Sequence, residues 1–294
     1  MSQRETPPLI VITGPTASGK TGLALKLAER WGGEIICADS RTVYKHMDIG
    51  TAKPTTKEQS RVPHWLLDVV EPGQRFTAAD FQRLAFAAID DIRARGKIPF
   101  LVGGSGLYVD SVVLRFSFGP DADAAVRREL ESKTVEELQS LLKKQHIALP
   151  ENLRNKRYLI RSYEKNNNST SDDANPDIHT HVVALTNDKQ DLAQRIERRV
   201  KGFFDAGIVK ETQHILDTYG ADGEAFTGNI YPIVKDVIEG RLTQGEAETL
   251  CAARDRQLAK RQITWLKRHD WVRWKSLPEA EQYIDHILRK YRDA

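Results

Sequence analysis

The amino-acid sequence predicts an α/β fold: a parallel sheet covered by helices and interrupted by an α-helical insertion. Three observations carry this. Short apolar, largely β-branched runs at residues 9–13, 34–38 and 98–102 stop at glycine, proline or polar residues and read as buried strands. Helical apolar spacing occupies the intervals at residues 21–31 and 78–95, and strand–helix–strand in this rhythm argues parallel pairing. With 294 residues the chain exceeds most single compact domains, so one large domain with an insertion, or two domains, is expected.

In chain order, LIVIT (9–13) ends at Gly14-Pro15, and the helix over 21–31 places Leu23, Leu27 and neighbouring alanines on one face. EIICA (34–38) is the second strand; the helix over 78–95 ends at Gly96, and IPFLV (98–102) is the third. Residues 121–145 are charged and helical, with Val126, Leu130, Val135, Leu138 and Leu142 as the buried stripe. A second helix over 152–165 carries Arg154, Lys156, Arg157, Arg161 and Lys165 against the single acid Glu164. The low-complexity stretch 166–177 (NNNSTSDDANPD) reads as a mobile loop, and HVVAL (181–185) returns to the sheet. The insertion is therefore placed at 116–180, between core segments 1–115 and 181–294.

The last third reads as helices over 189–204, 208–219 and 245–268. The final one gathers Arg254, Arg256, Lys260, Arg261, Lys267 and Arg268 against Asp255 alone, with Trp265, Trp271 and Trp274 at or just beyond it. Such a surface suits RNA, cations meeting phosphates and flat rings meeting unstacked bases; a solvated helix face with core tryptophans has the same pattern.

A net charge of +3 does not by itself identify a nucleic-acid binder. The two cysteines, Cys37 and Cys251, stand far apart, which excludes a disulfide framework and fits a reducing compartment. No signal-peptide pattern opens the chain and no window reaches membrane-spanning length, so a cytoplasmic monomer without membrane contact is expected.

Gly14-Pro15-Thr16-Ala17-Ser18-Gly19-Lys20-Thr21 satisfies G-x-x-x-x-G-K-[ST] directly after a strand and opening a helix. This is a P-loop, and the core is P-loop NTPase-like. Its amides and the helix N-terminus cradle phosphate, Lys20 reaches the phosphates, and Thr21 is placed to ligate magnesium. Asp39-Ser40-Arg41 follows the second strand, so Asp39 is expected to face the P-loop ligand as a magnesium ligand, a proton acceptor or a turn cap. Gly103-Gly104-Ser105-Gly106 follows the third strand, as a close-approach loop or a flexible connection.

Together GPTASGKT, ADSRTVYKHMDIGTAKP (38–54), PHWLLDV (63–69), LVGGSGLYV (101–109) and RQLAKRQITWL (256–266) closely resemble the motifs of the bacterial-type tRNA dimethylallyltransferases. The resemblance implies transfer of a dimethylallyl group from dimethylallyl diphosphate to the exocyclic amine of the adenosine 3′ of the anticodon, with Mg2+. It implies that the P-loop holds the prenyl pyrophosphate, not ATP, with Lys189 assisting. Asp39 is then the general base, and Lys20 and Ser105 serve the leaving group. Positions matching tRNA contacts are Asp39, Ser40, Arg41, Thr42, Ser105, Arg127, Arg157, Arg161, Lys260, Arg261, Gln262, Thr264, Trp265 and Lys267.

The chain departs from the family pattern at four positions. Thr42 replaces a glutamine and shortens a contact to the target base, and Lys189 replaces an arginine and loses two-pronged phosphate binding. Tyr158 also replaces an arginine, and Ile230 stands where a glycine precedes Tyr231. The two basic helices, over 152–165 and 254–268, lead to the expectation that tRNA lies between the insertion and the final helix. Two other readings of the motifs are an ATP-dependent P-loop kinase and a non-catalytic RNA-binding module.

Overall fold

The computed structural model describes residues 6–118, 124–166, 176–177, 179–221 and 223–293. Six parallel strands form one sheet: β1 (Leu9–Thr13), β2 (Glu34–Cys37), β3 (His64–Trp65), β4 (Pro99–Val102), β5 (Thr180–Leu185) and β6 (Arg273–Lys275). Their order is β3-β2-β4-β1-β5-β6. Strand β1 pairs with β4 on one side, Ile10 opposite Phe100, and with β5 on the other, Val11 opposite Val182. All five β1 residues are buried, because helices cover both faces and leave no position for an alternating polar residue.

Helix α1 (Lys20–Trp31) follows the P-loop; α2 (Thr56–Arg61), α3 (Ala78–Ala94) and α4 (Gly106–Val113) come before the second unit. That unit contains α5 (Ala124–Ser132), α6 (Val135–Lys144) and α7 (Lys156–Asn166). After β5 come α8 (Lys189–Asp205), α9 (Ile208–Tyr219), α10 (Tyr231–Ile238), α11 (Gln244–Leu266) and α12 (Leu277–Asp293). One sheet face, with Ile10, Ile12, Ile35, Phe100, Val183 and Leu185, packs against Leu23 and Leu27 of α1 and Ala280, Ile284 and Leu288 of α12. Trp31 Nε1 donates to Asp285 at 2.7 Å and ties those two helices together. Helix α3 packs on β2 and β4, and its Phe81 stacks on Tyr108 of α4 at 4.2 Å.

The chain divides into two compact units, Met1–Val113 with Pro176–Ala294, and Leu114–Asn175. The smaller has its own core of Leu130, Leu138, Leu142, Ile147, Leu159 and Ile160. The helix expected over 121–145 is two helices, because Thr134 caps a new one in a capping box with Glu137. Val126, expected in the buried stripe, is 38% exposed. The helix expected from residue 152 begins at Lys156. Most of the stretch 166–177, expected to be mobile, lies outside the described residues.

Strands β3 and β6 and helices α2, α10 and α12 were not expected from sequence. Helix α12 was legible, since Ala280, Ile284 and Leu288 recur at four-residue spacing and all three are buried. Strand β6 was not, because its three residues extend a sheet edge that only β5 defines.

Glu34 begins β2 and is 2% exposed, yet its carboxylate accepts from Arg95, from Lys97 at 2.8 Å and from Trp65 Nε1 at 2.8 Å. The Arg95 hydrogen bond, foremost, holds its pKa down at about 2, against desolvation. A depressed carboxylate stabilises the fold above its unfolded pKa, and the contribution is lost as pH falls from about 4.5 toward about 2. Glu34→Gln is expected to flatten that acid limb of a denaturation series and to cost about 2 kcal/mol at neutral pH, the partly exposed cations discounting the full shift. An unchanged acid limb would show that Glu34 contributes nothing.

Candidate active site

The site forms where the ends of β1, β2 and β4 meet. Between Gly14 and Gly19 the backbone takes left-handed conformations at Ala17 (φ 61°) and Gly19 (φ 98°), which turns successive amides toward one concavity. Gly19 caps α1 without any side-chain hydrogen bond, so no side chain competes for the first-turn amides. Thr21, on that first turn, is exposed.

Lys20 Nζ donates to Gly14 O at 2.9 Å and Pro15 O at 2.6 Å and approaches Ser18 Oγ at 3.5 Å. The residue keeps some open surface, but its ammonium is enclosed. Desolvation above all, then the charge of Arg199, pulls its pKa down to about 7, and Asp39 partly offsets this. Arg199, on α8, is aimed by Asp255 of α11, which accepts from its NH2 at 2.5 Å; its Nε is buried without a partner. Two cations facing one carboxylate across a pocket of about 340 Å3 make an anion site. The pocket is lined by Thr16 to Gly22, Asp39, Thr42, His64, Gly103, Gly104, Arg199 and Gln262.

Asp39 sits just beyond β2. Its Oδ1 accepts from Arg41 N at 2.8 Å, so it does cap the turn, while Oδ2 has no hydrogen bond among the described residues. Ser105 Oγ accepts from Ser40 N at 2.9 Å and ties this turn to the loop after β4. That loop is a close-approach loop. A Cβ at Gly103 would lie 1.9 Å from Ala38 O, at Gly104 2.4 Å from Gln262 Nε2, and at Gly106 2.3 Å from Trp265. Arg41 is held by Glu224 O at 2.8 Å, and Thr42 is buried with its hydroxyl unpartnered. Glu211 of α9 accepts from three consecutive amides, Asp48 to Gly50, and from Tyr231 Oη at 2.7 Å, fixing the segment downstream of Asp39.

Several residues expected at an RNA surface are engaged within the protein. Trp265 Nε1 donates to buried Asp110 at 2.7 Å, His269 Nε2 lies 3.0 Å from the same carboxylate oxygen, and Trp271 stacks on His269 at 4.4 Å. Trp274 belongs to β6. Gln262 Oε1 accepts from Thr16 N at 2.8 Å and its Nε2 donates to Gly104 O at 3.0 Å. Lys260, Arg261 and Thr264 are exposed on α11, and Lys267, which caps its end, is exposed as well. In the smaller unit Arg157 and Arg161 are exposed on α7; Arg127 and Arg161 lie 2.8 and 3.6 Å from Glu164. Tyr158 is 53% exposed.

Lys189 is exposed at the start of α8 and does not line the pocket; Arg199 of the same helix does. Arg199 and His64 are pocket residues that sequence reasoning missed. For Arg199 the local signal was only its place beside the buried stripe Leu192, Ile196 and Val200; its partner Asp255 lies in another helix and is set by the fold.

The IPP transferase family model matches residues 42–269. This chain belongs to that family. It is 38% identical to tRNA dimethylallyltransferase 1 of Citrifermentans bemidjiense, covering 95% of this chain and 96% of that one. Among solved structures it resembles the full-length tRNA isopentenylpyrophosphate transferase of Bacillus halodurans, with TM-score 0.74, 34% identity, and coverage of 97% and 98%. It also resembles the tRNA delta(2)-isopentenylpyrophosphate transferase of Staphylococcus epidermidis, with TM-score 0.72, 30% identity, and coverage of 98% and 99%.

An anion bound beside Lys20 raises that pKa above its free value of about 7, so binding takes up a proton between the two values. Affinity for magnesium pyrophosphate is expected to fall as pH rises above about 7, by at most about tenfold per unit from this group. Calorimetry at pH 8 in buffers of different ionisation enthalpy should show the uptake. Lys20→Arg, charged throughout, should lose that component while keeping the ligand's own titration. Equal uptake by both proteins would exclude Lys20 as its source.

Proposed function

We propose that this chain transfers a dimethylallyl group from dimethylallyl diphosphate to the exocyclic amine of the adenosine 3′ of the anticodon in tRNA, releasing diphosphate. The observation that carries this is the convergence of the P-loop, Arg199 and Asp39 on one pocket, in a chain of the IPP transferase family. That membership sets aside the kinase and the non-catalytic readings.

The amine is a weak nucleophile, so alignment and leaving-group stabilisation carry the reaction. Of the loop's amides, those of Ala17 and Gly19 are left for the concavity: Pro15 has no N–H, Thr16 N donates to Gln262 and Ser18 N donates to Pro15 O at 3.3 Å, a bond the ligand can replace. Lys20 and Arg199 neutralise the charge that grows on the departing diphosphate as the allylic C–O bond breaks. The nitrogen takes the allylic carbon, and the unbonded Oδ2 of Asp39 accepts the proton. The Ser105 hydroxyl accepts from Ser40 N and makes only a long donation to Ser40 Oγ at 3.4 Å, which it gives up to turn its proton to the leaving oxygen.

Magnesium fits here by donor chemistry. The Thr21 hydroxyl is a hard oxygen at the first turn of α1, and the diphosphate supplies the others. Bound there, the ion would share the charge of the leaving group. Arg157 and Arg161 on α7, Lys260 and Arg261 on α11, and Lys267 at its end are read as phosphate contacts to the tRNA. Two buried, unpaired cysteines fit a reducing compartment such as the cytoplasm. Among the described residues no helix is long and apolar enough to cross a membrane.

The test is to incubate the protein with dimethylallyl diphosphate, Mg2+ and unmodified tRNA and look for isoprenoid mass on one adenosine. ATP is expected to be neither required nor consumed; phosphorylation of an acceptor would overturn the assignment. In the same assay Asp39→Ala is expected to lower single-turnover transfer by about 10²–10⁴-fold, far more than it weakens tRNA binding. A near wild-type rate would leave Asp39 as a turn cap only.

The doubles Arg157→Ala/Arg161→Ala and Lys260→Ala/Arg261→Ala are each expected to weaken tRNA binding and lower its salt slope by about 1–2. Slopes equal to wild type in both doubles would make these helices solvated faces.

A further inference from the structure

We propose that Gln262 makes this P-loop selective for a diphosphate by closing the part of the loop that a third phosphate would enter. The inference rests on reading the P-loop as the donor's diphosphate site. In a P-loop the amides nearest the helix hold the inner phosphates and the lysine marks the outer one. Here Lys20 Nζ lies against Gly14 O and Pro15 O, so the outer end of the site adjoins Thr16.

The next amide outward, Thr16 N, already donates to Gln262 Oε1 at 2.8 Å. The other end of that carboxamide donates to Gly104 O at 3.0 Å, so both ends are engaged and its orientation is set. The fit is close, since any side chain at Gly104 would collide with Gln262 Nε2. The carboxamide is also held from behind. One turn along α11, Trp265 packs over Gly106 and donates to buried Asp110, and His269 reaches the same oxygen. Retreat of the α11 backbone at Gln262 would therefore have to break the Asp110 contacts as well, so the carboxamide can leave only by rotating its own side chain away from Thr16 and Gly104.

A nucleoside triphosphate, or tripolyphosphate itself, must displace the carboxamide and leave Gly104 O without its partner. A diphosphate leaves all of this in place. Gln262, expected at the tRNA surface, thus becomes the specificity-determining residue of the phosphate site.

The experiment measures the affinities of the full chain for magnesium pyrophosphate and magnesium tripolyphosphate by calorimetry. Wild type is expected to prefer pyrophosphate. Gln262→Ala frees the Thr16 amide and the space beside it, and is expected to shift the affinity ratio toward tripolyphosphate by about tenfold or more, the worth of one hydrogen bond to a charged group. Gln262→Ser, equally short, should give the same shift, and thermal melting checks that both variants fold. An unchanged ratio in the folded variants overturns the proposal. Wild type that binds neither ligand overturns the diphosphate reading instead, and this inference with it. Wild type that binds both equally overturns the selectivity alone.

Discussion

A central strand that ends at an uncapped helix N-terminus is the constraint on which this molecule is built. Strand β1 is buried on both sides by β4 and β5, so its end is held rigidly, and the chain must turn at once into α1. No side chain caps that helix at Gly19, and an ammonium is enclosed beside it. Unpaired donors and an enclosed cation that Asp39 balances only in part are costly unless a ligand supplies the charge. The depressed pKa of Lys20 is the measure of that cost, and the same imbalance is what an anionic leaving group relieves.

The neighbouring elements act on this point from several directions. Arg199 reaches the pocket because Asp255, in a different helix, holds its guanidinium. Ser105 and Ser40 join the ends of β2 and β4, which sets Asp39 at the pocket rim with one oxygen engaged and one free. Glu211 gathers three successive amides downstream and keeps that turn from drifting. Each contact is modest in net worth, but removing one partner leaves a buried group unsatisfied, which makes the arrangement specific. Helix α11 has a double character: its exposed side carries Lys260, Arg261 and Thr264, with Lys267 at its end, and its inner side carries Gln262 and Trp265 into the loops around the phosphate site.

Much of the core was legible because its signals are local. Residues 9–13 and 98–102 are apolar without alternation, which only a strand covered on both faces tolerates, and Gly19-Lys20-Thr21 at a strand–helix junction can serve little but phosphate. Boundaries failed where capping decided them, as at Thr134, and where an element exists only as the edge of another, as at β6. Helix α12 was missed although its spacing was plain, and it covers the sheet face that α1 alone would leave open.

The sequence by itself determined the parallel sheet, the P-loop and the family pattern, because each is written in contiguous residues whose backbone demands are short-range. Tertiary structure decided which basic and aromatic side chains are free. Arg199 and Asp255 are 56 residues apart, Trp265 and Asp110 are 155 apart, and Thr16 and Gln262 are 246 apart. No spacing rule links such pairs. Whether a tryptophan meets a base or a buried carboxylate, and whether a glutamine meets tRNA or an amide of the P-loop, depends on which surface the fold brings within hydrogen-bonding distance.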